Sequence, residues 1–365
     1  MNISIVIPVR NGERFLEGTL ESVVAQSRQP EEIIVVDDAS TDKSAQLCKS
    51  SKWNGKVKYF YNESPTGFAD AWNRAVEKAS CDHVSILHQD DLLDKEFLFV
   101  MEKGASCHPD VRHFFAAADC IGESGLVVKR APKPYLDKPF RWSGKEYASH
   151  YLHGVVENEH IHRCPGVITH RQLILEKCRF RKEAGLIADD DFFYRIGRYT
   201  DVVGISKPLA KFRLHSRSET SRLPSLTVSL AEDYLFQIRC YAREDDFFCK
   251  EDHEAFLTLA LRFLDQLLYE SIVYRRPLWT KRALEIRKEI DNLVPDCIAT
   301  NRRFLIKPMW LLARSGRMAT SMLGLYARGL HRINECWKKG FQLSKTVTSC
   351  YRVDRRRTGG RELPL

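Results

Sequence analysis

The chain has 365 residues, a formal net charge of +9 and a hydrophobic fraction of 44%. This length suits roughly two domains with a large core, and the composition excludes a chain that is disordered throughout. The 11 cysteines are scattered, odd in number and never spaced as C-x-x-C. They argue against a disulfide framework or a zinc ribbon and favour reduced thiols in a cytoplasmic setting.

Strand and helix patterns alternate along the N-terminal part of the chain. Strands are predicted from Ile3 to Val9, from Ile33 to Val36, within KVKYFYN and within HVSILH. Between them, EGTLESVVAQ and GFADAWNRAVEKA have apolar residues at helical spacing, the second after a glycine turn. This alternation indicates an α/β fold with a mostly parallel sheet flanked by helices.

The middle of the chain is less regular. FFAAADCIG predicts a strand, PGVITHRQLILEKCRF a strand and a helix, and ADDDFFYRIGRY a helix, while the Pro-rich APKPYLDKPF and the polar RLHSRSETSR predict loops. From about residue 226 the pattern becomes helical. We therefore expect one domain over 1–222, with halves 1–104 and 105–222, and a helical C-terminal region over 223–365.

The positive charge is concentrated near the end of the chain, in HRINECWKKG and YRVDRRRTGG. No aromatic-rich basic module or zinc-finger spacing accompanies it, so no nucleic-acid partner is predicted. From Arg302 to Arg361 the basic residues alternate with apolar stretches that include Trp310, Leu311, Leu312 and Leu325. This tail predicts either a helical lid or a peripheral contact with an anionic membrane.

The sequence contains no pattern of a secreted or membrane-spanning protein. ISIVIPV is too short for the apolar core of a signal peptide, and no apolar run reaches the length of a bilayer span. We expect a cytoplasmic protein that is soluble or peripheral on the inner face of the cell membrane.

Two pairs of aspartates follow predicted buried strands. Asp37 and Asp38 end EEIIVVDD, and Asp90 and Asp91 follow VSILHQ. Capping of the next helix is one explanation for each pair. Because the carboxyl ends of parallel strands meet at one edge, both pairs are also expected at one cleft. Paired carboxylates there suit Mg²⁺ or Mn²⁺, which take oxygen ligands and keep substrate phosphates in their shell.

A third acidic cluster lies at the start of a predicted helix. Asp189, Asp190 and Asp191 would gain from the helix dipole there, yet an additional carboxylate that faces a cleft is a candidate general base. A zinc site is a weaker alternative. Its candidate ligands are five histidines close together in the sequence: His150, His153, His160, His162 and His170.

Five segments in a fixed order resemble glycosyltransferase family 2: SIVIPVRNGERFLEGTLESVVAQ, EEIIVVDDASTD, GFADAWNRAVEKA, ILHQDDLL and ADDDFFYRI. The resemblance covers roughly residues 1–220. It implies a GT-A nucleotide-diphospho-sugar transferase fold, with a Rossmann-like sheet, ahead of the helical C-terminal region. It also implies transfer with inversion from a nucleotide-sugar, expected to be a UDP-sugar, to a saccharide or lipid-linked acceptor. Such chemistry builds cell-surface polysaccharide or lipopolysaccharide.

The resemblance assigns binding roles residue by residue. Asp38 is expected to bind the nucleotide base, with Asp37 as its helper, and the remaining residues expected at the nucleotide-sugar are Pro8, Val9, Asn11, Asn73, Arg74, Gln89 and Asp90. Those expected at the Mg²⁺ or Mn²⁺ ion are Asp90, Asp91 and His215. HQDD departs from the common D-x-D form because His88 takes the first aspartate position.

The resemblance also assigns the catalytic segment. Counting back from Arg195, the base aligns with Asp189, with Asp190 and Asp191 as neighbours, and Ala188 replaces the preceding acid. Two alternatives stay open. One is a nucleotidyltransferase that acts on a sugar phosphate and releases pyrophosphate. The other is a non-catalytic member with a degenerate site.

Overall fold

The computed structural model describes residues 1–132, 139–218, 227–241, 246–274 and 276–294. The basic tail lies outside the described residues, and so do parts of the two predicted loops APKPYLDKPF and RLHSRSETSR. By its internal contacts the chain divides into two units, Met1–Arg222 with Asp245–Ala255 and Leu223–Glu244 with Phe256–Leu365. In the parts that the structure describes, every helix is too short or too polar to span a membrane.

Strands of the first unit form one sheet, ten-stranded in the described residues. In chain order they are β1 Ile3–Val9, β2 Glu32–Asp37, β3 Lys58–Tyr61, β4 His83–Ile86, β5 Leu92–Leu93, β6 His113–Ile121, β7 Val127–Lys129, β8 Phe140–Trp142, β9 Val167–His170 and β10 Val202–Arg213.

Helices cover the sheet and make up the second unit. They are α1 Leu16–Val24, α2 Ser44–Cys48, α3 Phe68–Lys78, α4 Phe97–Ser106, α5 Gly144–Glu157, α6 Arg171–Lys177, α7 Ala188–Ile196, α8 Thr227–Tyr241, α9 Lys250–Val273 and α10 Pro277–Leu293. Two 3₁₀ turns, Cys164–Gly166 and Lys182–Ile187, precede β9 and α7.

The sheet order places the ends of six strands at one edge. Neighbours run β3-β2-β1-β4-β9-β6-β10-β5, with β7 beside β6 and β8 beside β10. Strands β1 to β4 pair in parallel, and β6 pairs in parallel with β10. Because β9 is antiparallel to both β4 and β6, the two parallel groups point the same way. The predicted α/β class with a mostly parallel sheet is therefore confirmed.

Continuous apolar runs explain why β1 and β2 lie at the centre. Every residue of both strands is buried, as expected for strands covered on both faces. Helix α1 buries Leu16, Leu20 and Val23 against this layer, at the spacing of one helix face. Strand β3, at the edge of the sheet, is only partly buried.

Helix capping does not account for the second acidic pair. A two-residue strand, β5, follows Asp91, and α4 begins only at Phe97. The side chains that accept backbone N–H groups at this helix start are those of Asp94, which bonds Glu96 N at 3.0 Å, and Gln26, which bonds Leu98 N at 3.0 Å. The role of Asp90 and Asp91 must therefore be sought at the sheet edge.

In the second unit the described residues of the C-terminal region are helical. Arg239 on α8 bonds Glu289 on α10 at 2.5 Å, and Arg282 on α10 bonds Glu232 on α8 at 2.7 Å. The ring of Tyr234 stacks on Phe263 of α9, with centroids 4.7 Å apart. Ring stacking and two exposed ion pairs thus connect these helices.

Candidate active site

The first two acidic pairs lie together at the carboxyl edge of the sheet. The backbone of Arg10, just after β1, exchanges two hydrogen bonds with the side-chain amide of Gln89, at 2.7 and 3.1 Å. The guanidinium of Arg10 lies 3.9 Å from the carboxylate of Asp38. Arg10 therefore connects the end of β2 with the HQDD turn after β4, as the parallel topology predicts.

Asp38 organises the loop that leads into α3. Its carboxylate accepts bonds from Asn62 Nδ2 at 2.8 Å, from the N–H and hydroxyl of Thr66, and from Gly67 N at 3.2 Å. Burial alone would raise the pKa of Asp38, but these donors outweigh it and lower the pKa below its usual value. Asp38 is thus held as a carboxylate at the place predicted for the nucleotide base.

Asp37 is fully buried and supports the neighbouring loop. One oxygen accepts a bond from Ser40 N and the other from the hydroxyl of Tyr59, each at 2.7 Å. Asn11, which has a positive φ of 52°, accepts a bond from Thr41 N at 2.8 Å. The helper role of Asp37 at the nucleotide stays a prediction. Pro8 and Val9 are buried at the end of β1, beneath the same loop.

The amide of Asn73 is used within the protein. Its Nδ2 donates to the carbonyl of Phe180 at 2.8 Å, and its Oδ1 accepts from Phe180 N at 3.0 Å. These two bonds hold the side-chain amide against Phe180 and leave one N–H and one lone pair of Asn73 unused, so the packing role does not exclude a nucleotide contact. Arg74, the next residue, is exposed. The nucleotide role of both residues stays a prediction.

Two residues that the sequence did not single out hold the HQDD turn. Thr19 Oγ1 on α1 bonds the carbonyls of Gln89 and Asp91, both at 2.9 Å. Arg213 lies at the end of β10. Its backbone N–H donates to Asp91 Oδ1 at 2.8 Å, and its side-chain Nε–H donates to the carbonyl of Asp90 at 2.7 Å. The sequence signal for Arg213 is its place two residues before His215, at the end of a strand.

Asp90 and His215 form a close pair beside this turn. His215 Nε2 lies 2.8 Å from Asp90 Oδ2, and the imidazole packs against Phe15 with centroids 4.8 Å apart. A carboxylate and an imidazole are suitable ligands for Mn²⁺, and Mg²⁺ commonly takes one or two carboxylates with substrate phosphates. In the described parts of the chain, no three His, Cys, Asp or Glu side chains converge as a metal cluster. Because His215 Nδ1 accepts a bond from Arg217 N at 3.2 Å, Nε2 is the nitrogen that would bind a divalent cation, in place of its bond to Asp90. The remaining ligands would come from substrate and water.

Asp91 faces inward, away from this pair. It is fully buried, and burial, followed by the charge of Asp90, raises its pKa well above the usual value. Among the described residues its Oδ2 has no hydrogen-bond partner, and it lies 3.6 Å from His88 Nδ1. Of the two predicted metal ligands in HQDD, the geometry therefore favours Asp90, and Asp91 supports the turn through Arg213.

His88 lies between the second and third acidic clusters. Its ring stacks on Trp72 of α3, with centroids 5.2 Å apart. Burial lowers the pKa of His88, and the nearby carboxylates of Asp90 and Asp189 act in the opposite direction. The interaction with Asp189 shows that the catalytic segment reaches the same edge of the sheet as HQDD.

The three acids of α7 have different environments. Asp189 and Asp190 are partly exposed, whereas Asp191 is fully buried. Asp191 accepts bonds from Arg181 Nε and Arg195 Nε, both at 2.9 Å. The hydroxyl of Tyr151 on α5 donates to Asp190 Oδ1 at 2.7 Å. Asp191 therefore has a structural ion-pair role, and the two acids before it face the cleft.

Arg163 is a positive charge near these acids that the sequence did not single out. It interacts electrostatically with Asp91, Asp189 and Asp190, and in each case it lowers the pKa of the carboxyl. Its guanidinium lies over the ring of Phe212, 5.1 Å from the centroid. The turn that follows it needs glycine, since a Cβ at Gly166 would lie 2.5 Å from the carbonyl oxygen of Ala116.

The N-terminal part of the chain is similar to a known family. Residues 4–111 match the model of Glycosyl transferase family 2. The resemblance to glycosyltransferase family 2 is confirmed. Among curated relatives, TuaG of Bacillus subtilis, named provisionally as a teichuronic acid biosynthesis glycosyltransferase, is 33% identical over 110 residues, which are 28% of this chain and 44% of TuaG.

GlyG, a glycosyltransferase of Streptococcus pneumoniae serotype 4, is 31% identical over 97 residues, 26% of this chain and 32% of GlyG. The chain therefore spans less than half the length of these curated relatives. Among solved structures, residues 1–349 of Staphylococcus aureus TarS with UDP-GlcNAc align over 91% of this chain and 92% of that one. The TM-score is 0.60 at 15% identity, a likeness that establishes the GT-A type of fold.

Proposed function

We propose that this protein is a family 2 glycosyltransferase that uses a nucleotide-sugar to build a cell-surface polysaccharide. The observation that carries the proposal is the arrangement at the sheet edge. A pair able to bind a cation, Asp90 with His215, lies at the same edge as a partly exposed carboxylate, Asp189, on a helix start. Charge stabilisation and a base are the two elements that sugar transfer from a diphosphate requires.

In the proposed reaction Asp189 takes the proton of the acceptor hydroxyl. The hydroxyl oxygen attacks the anomeric carbon while the bond to the nucleoside diphosphate breaks on the opposite face, which inverts the configuration. Asp90 and His215 would hold Mg²⁺ or Mn²⁺, which supplies positive charge against the leaving diphosphate. Burial raises the pKa of Asp189, and a raised pKa brings a carboxylate closer to the range in which it acts as a base near neutral pH.

The proposed donor is a UDP-sugar. Asp38, fixed by four donors from Asn62, Thr66 and Gly67, supports a nucleotide base contact. TarS, whose fold this chain shares, is described with UDP-GlcNAc, so this donor is the first to test. A saccharide or lipid-linked acceptor, the cytoplasmic compartment and a membrane contact through the basic tail are further parts of the proposal.

The proposal is tested by incubating the purified protein with a panel of UDP-sugars and Mn²⁺, then measuring the released UDP. We expect release with at least one donor, and a strong loss in Asp189→Asn. Asp110→Asn is a matched control, because it removes an exposed carboxylate just before β6 starts, at the opposite sheet edge. Release of pyrophosphate from a nucleoside triphosphate with a sugar phosphate would favour a nucleotidyltransferase. No turnover on either panel would favour the degenerate, non-catalytic alternative.

A further inference from the structure

Two tyrosines lie one turn apart on the buried face of α5 and reach different partners. The hydroxyl of Tyr147 lies 2.8 Å from His162 Nε2 and 3.2 Å from His113 Nε2. The hydroxyl of Tyr151 donates to Asp190 Oδ1 at 2.7 Å. Tyr151 is 3% exposed, so its hydrogen bond is shielded from water. It therefore bonds an acid of the catalytic segment, whereas Tyr147 bonds only histidines.

Asp190 is connected in turn to the predicted base. Its backbone N–H donates to Asp189 Oδ1 at 3.0 Å. Tyr151 thus bonds the carboxylate of Asp190, and the backbone of Asp190 bonds the carboxylate of Asp189. The two bonds fix the direction of both carboxylates, because each has one oxygen committed to a donor.

We infer that Tyr151 is a positioning residue that holds Asp190 as an oriented carboxylate beside Asp189, so that the two adjacent acids act as one base. The inference rests on the proposed sugar transfer. The proton of the acceptor hydroxyl still ends on Asp189, and Asp190 contributes its negative charge. A neighbouring negative charge makes a carboxylate a stronger base. Tyr151 would ensure that this charge is present at neutral pH.

The surroundings of Asp190 support this inference. Burial, and then the charge of Asp189, raise the pKa of Asp190 to about 7. Tyr151 and Arg163 act in the opposite direction, and Asp191 raises the pKa slightly further. Removing the Tyr151 hydroxyl would raise the pKa of Asp190. The negative charge beside Asp189 would then form only at a higher pH.

The experiment compares Tyr151→Phe with Tyr147→Phe in UDP release from UDP-GlcNAc between pH 5 and 9. In Tyr151→Phe we expect the acidic limb of the pH–rate profile to move up by about one to two pH units, with an unchanged donor KM. Tyr147→Phe removes a hydroxyl one turn away on the same helix, so it controls for loss of packing and stability. A wild-type profile in Tyr151→Phe, or the same shift in both variants, would overturn the inference.

A second measurement does not depend on turnover. The Cγ of Asp190 is titrated by carbon NMR in protein labelled at aspartate, with its signal assigned by its absence in Asp190→Asn. The expected result is a higher titration midpoint in Tyr151→Phe than in wild type and in Tyr147→Phe. Equal midpoints would overturn the inference even if the protein transfers sugar. A shifted midpoint without UDP release from any donor would contradict the proposed function, and with it the role of Asp189 and Asp190 as a base. The effect of Tyr151 on the pKa of Asp190 would still be established.

A third experiment, with Asp190→Asn, is used if the Tyr151→Phe protein does not fold. Asp190→Asn leaves Tyr151 and its packing in place and removes only the charge. It should reduce UDP release at pH 7 to 8 about tenfold or more and abolish the limb that titrates near neutral pH. Retention of the wild-type limb in Asp190→Asn would show that Asp190 has no part in the base and would end the inference.

Discussion

Three consecutive aspartates on α7 show how strongly the surroundings decide what a carboxylate does. Asp191 is enclosed by Arg181 and Arg195, Asp190 bonds Tyr151, and Asp189 accepts the backbone N–H of Asp190. A helix turns by about 100° per residue, so adjacent side chains point in different directions. One sequence motif therefore supplies an ion-pair anchor, an oriented neighbour and the proposed base.

At this scale Asp189→Asn is the most direct test of the base. The amide keeps the shape of the side chain and removes its ability to accept a proton. We expect transfer to fall by about 10²–10⁴-fold, the usual contribution of a positioned base. Donor affinity, measured by calorimetry with UDP, should stay near the wild-type value. A variant that transfers at the normal rate would shift the assignment to Asp190.

Asp191→Asn should affect stability first. Asp191 is fully buried beside the largely buried guanidinium of Arg195 and the partly exposed one of Arg181, so removing its charge leaves the charge of Arg195 without compensation. Breaking a buried pair in this way typically costs about 3–5 kcal/mol. Urea unfolding at pH 7 measures the change. For comparison, Asp201→Asn disrupts the more exposed pair with Arg141, and we expect a loss of about 1 kcal/mol or less.

At the level of elements, α5 connects the catalytic segment with the start of α9. The helix begins at a capping box formed by Ser143 and Glu146, which satisfies N–H groups at its first turn. Further along, Ser149 Oγ donates to Asp252 at 2.6 Å, and His153 Nε2 lies 3.3 Å from the same carboxylate. The first turn of α9 is thereby fixed to α5 through one buried acid.

This contact predicts a pH dependence of stability. The hydrogen bond with Asp252 raises the pKa of His153 in the folded protein, against a smaller opposing effect of burial. A raised pKa means that the stabilisation is complete below about pH 6.5, the unfolded value, and is lost as pH rises through the folded value. Between pH 6 and pH 8 the Tm of wild type should therefore fall more than the Tm of His153→Gln. Parallel Tm curves for the two proteins would contradict the ion pair.

At the scale of the whole molecule, the proposed cation site joins distant parts of the chain. Asp90 and His215 are 125 residues apart in sequence, and they follow β4 and β10 respectively. A ligand that binds only the folded state stabilises it by mass action, by about 2.7 kcal/mol at one hundred times its Kd. We therefore expect Mn²⁺ together with UDP to raise the Tm, and excess chelator to abolish UDP release.

His215→Ala is the variant that tests this site, because it removes one of the two proposed ligands and leaves Asp90. It should weaken the Tm increase caused by Mn²⁺ with UDP, and titration of free Mn²⁺ by electron paramagnetic resonance should show weaker binding. His108→Ala, at a residue just before β6, is the matched histidine control. Full activity of wild type in chelator would exclude a metal-dependent reaction.

The sequence by itself determined the α/β class, the main strands of the parallel part of the sheet and the acidic clusters at their ends. Apolar runs such as IIVV and the helical spacing of α1 and α3 are local patterns, so they can be read without knowledge of the fold. Short elements were missed. Strands β5, β7 and β8 have two or three residues each, too few to establish a period, and α5 contains polar and aromatic residues in no clear stripe.

Only the tertiary structure decided which acids are free to act. Asp91 is held by the N–H of Arg213, 122 residues later, and Asp190 is bonded by Tyr151, 39 residues earlier. Such pairings depend on how β10 and α5 pack against the sheet edge, and no spacing in the chain encodes them. The sequence could therefore indicate that carboxylates collect at this edge. The separation of supporting acids from exposed ones required the positions of partners that are distant in sequence.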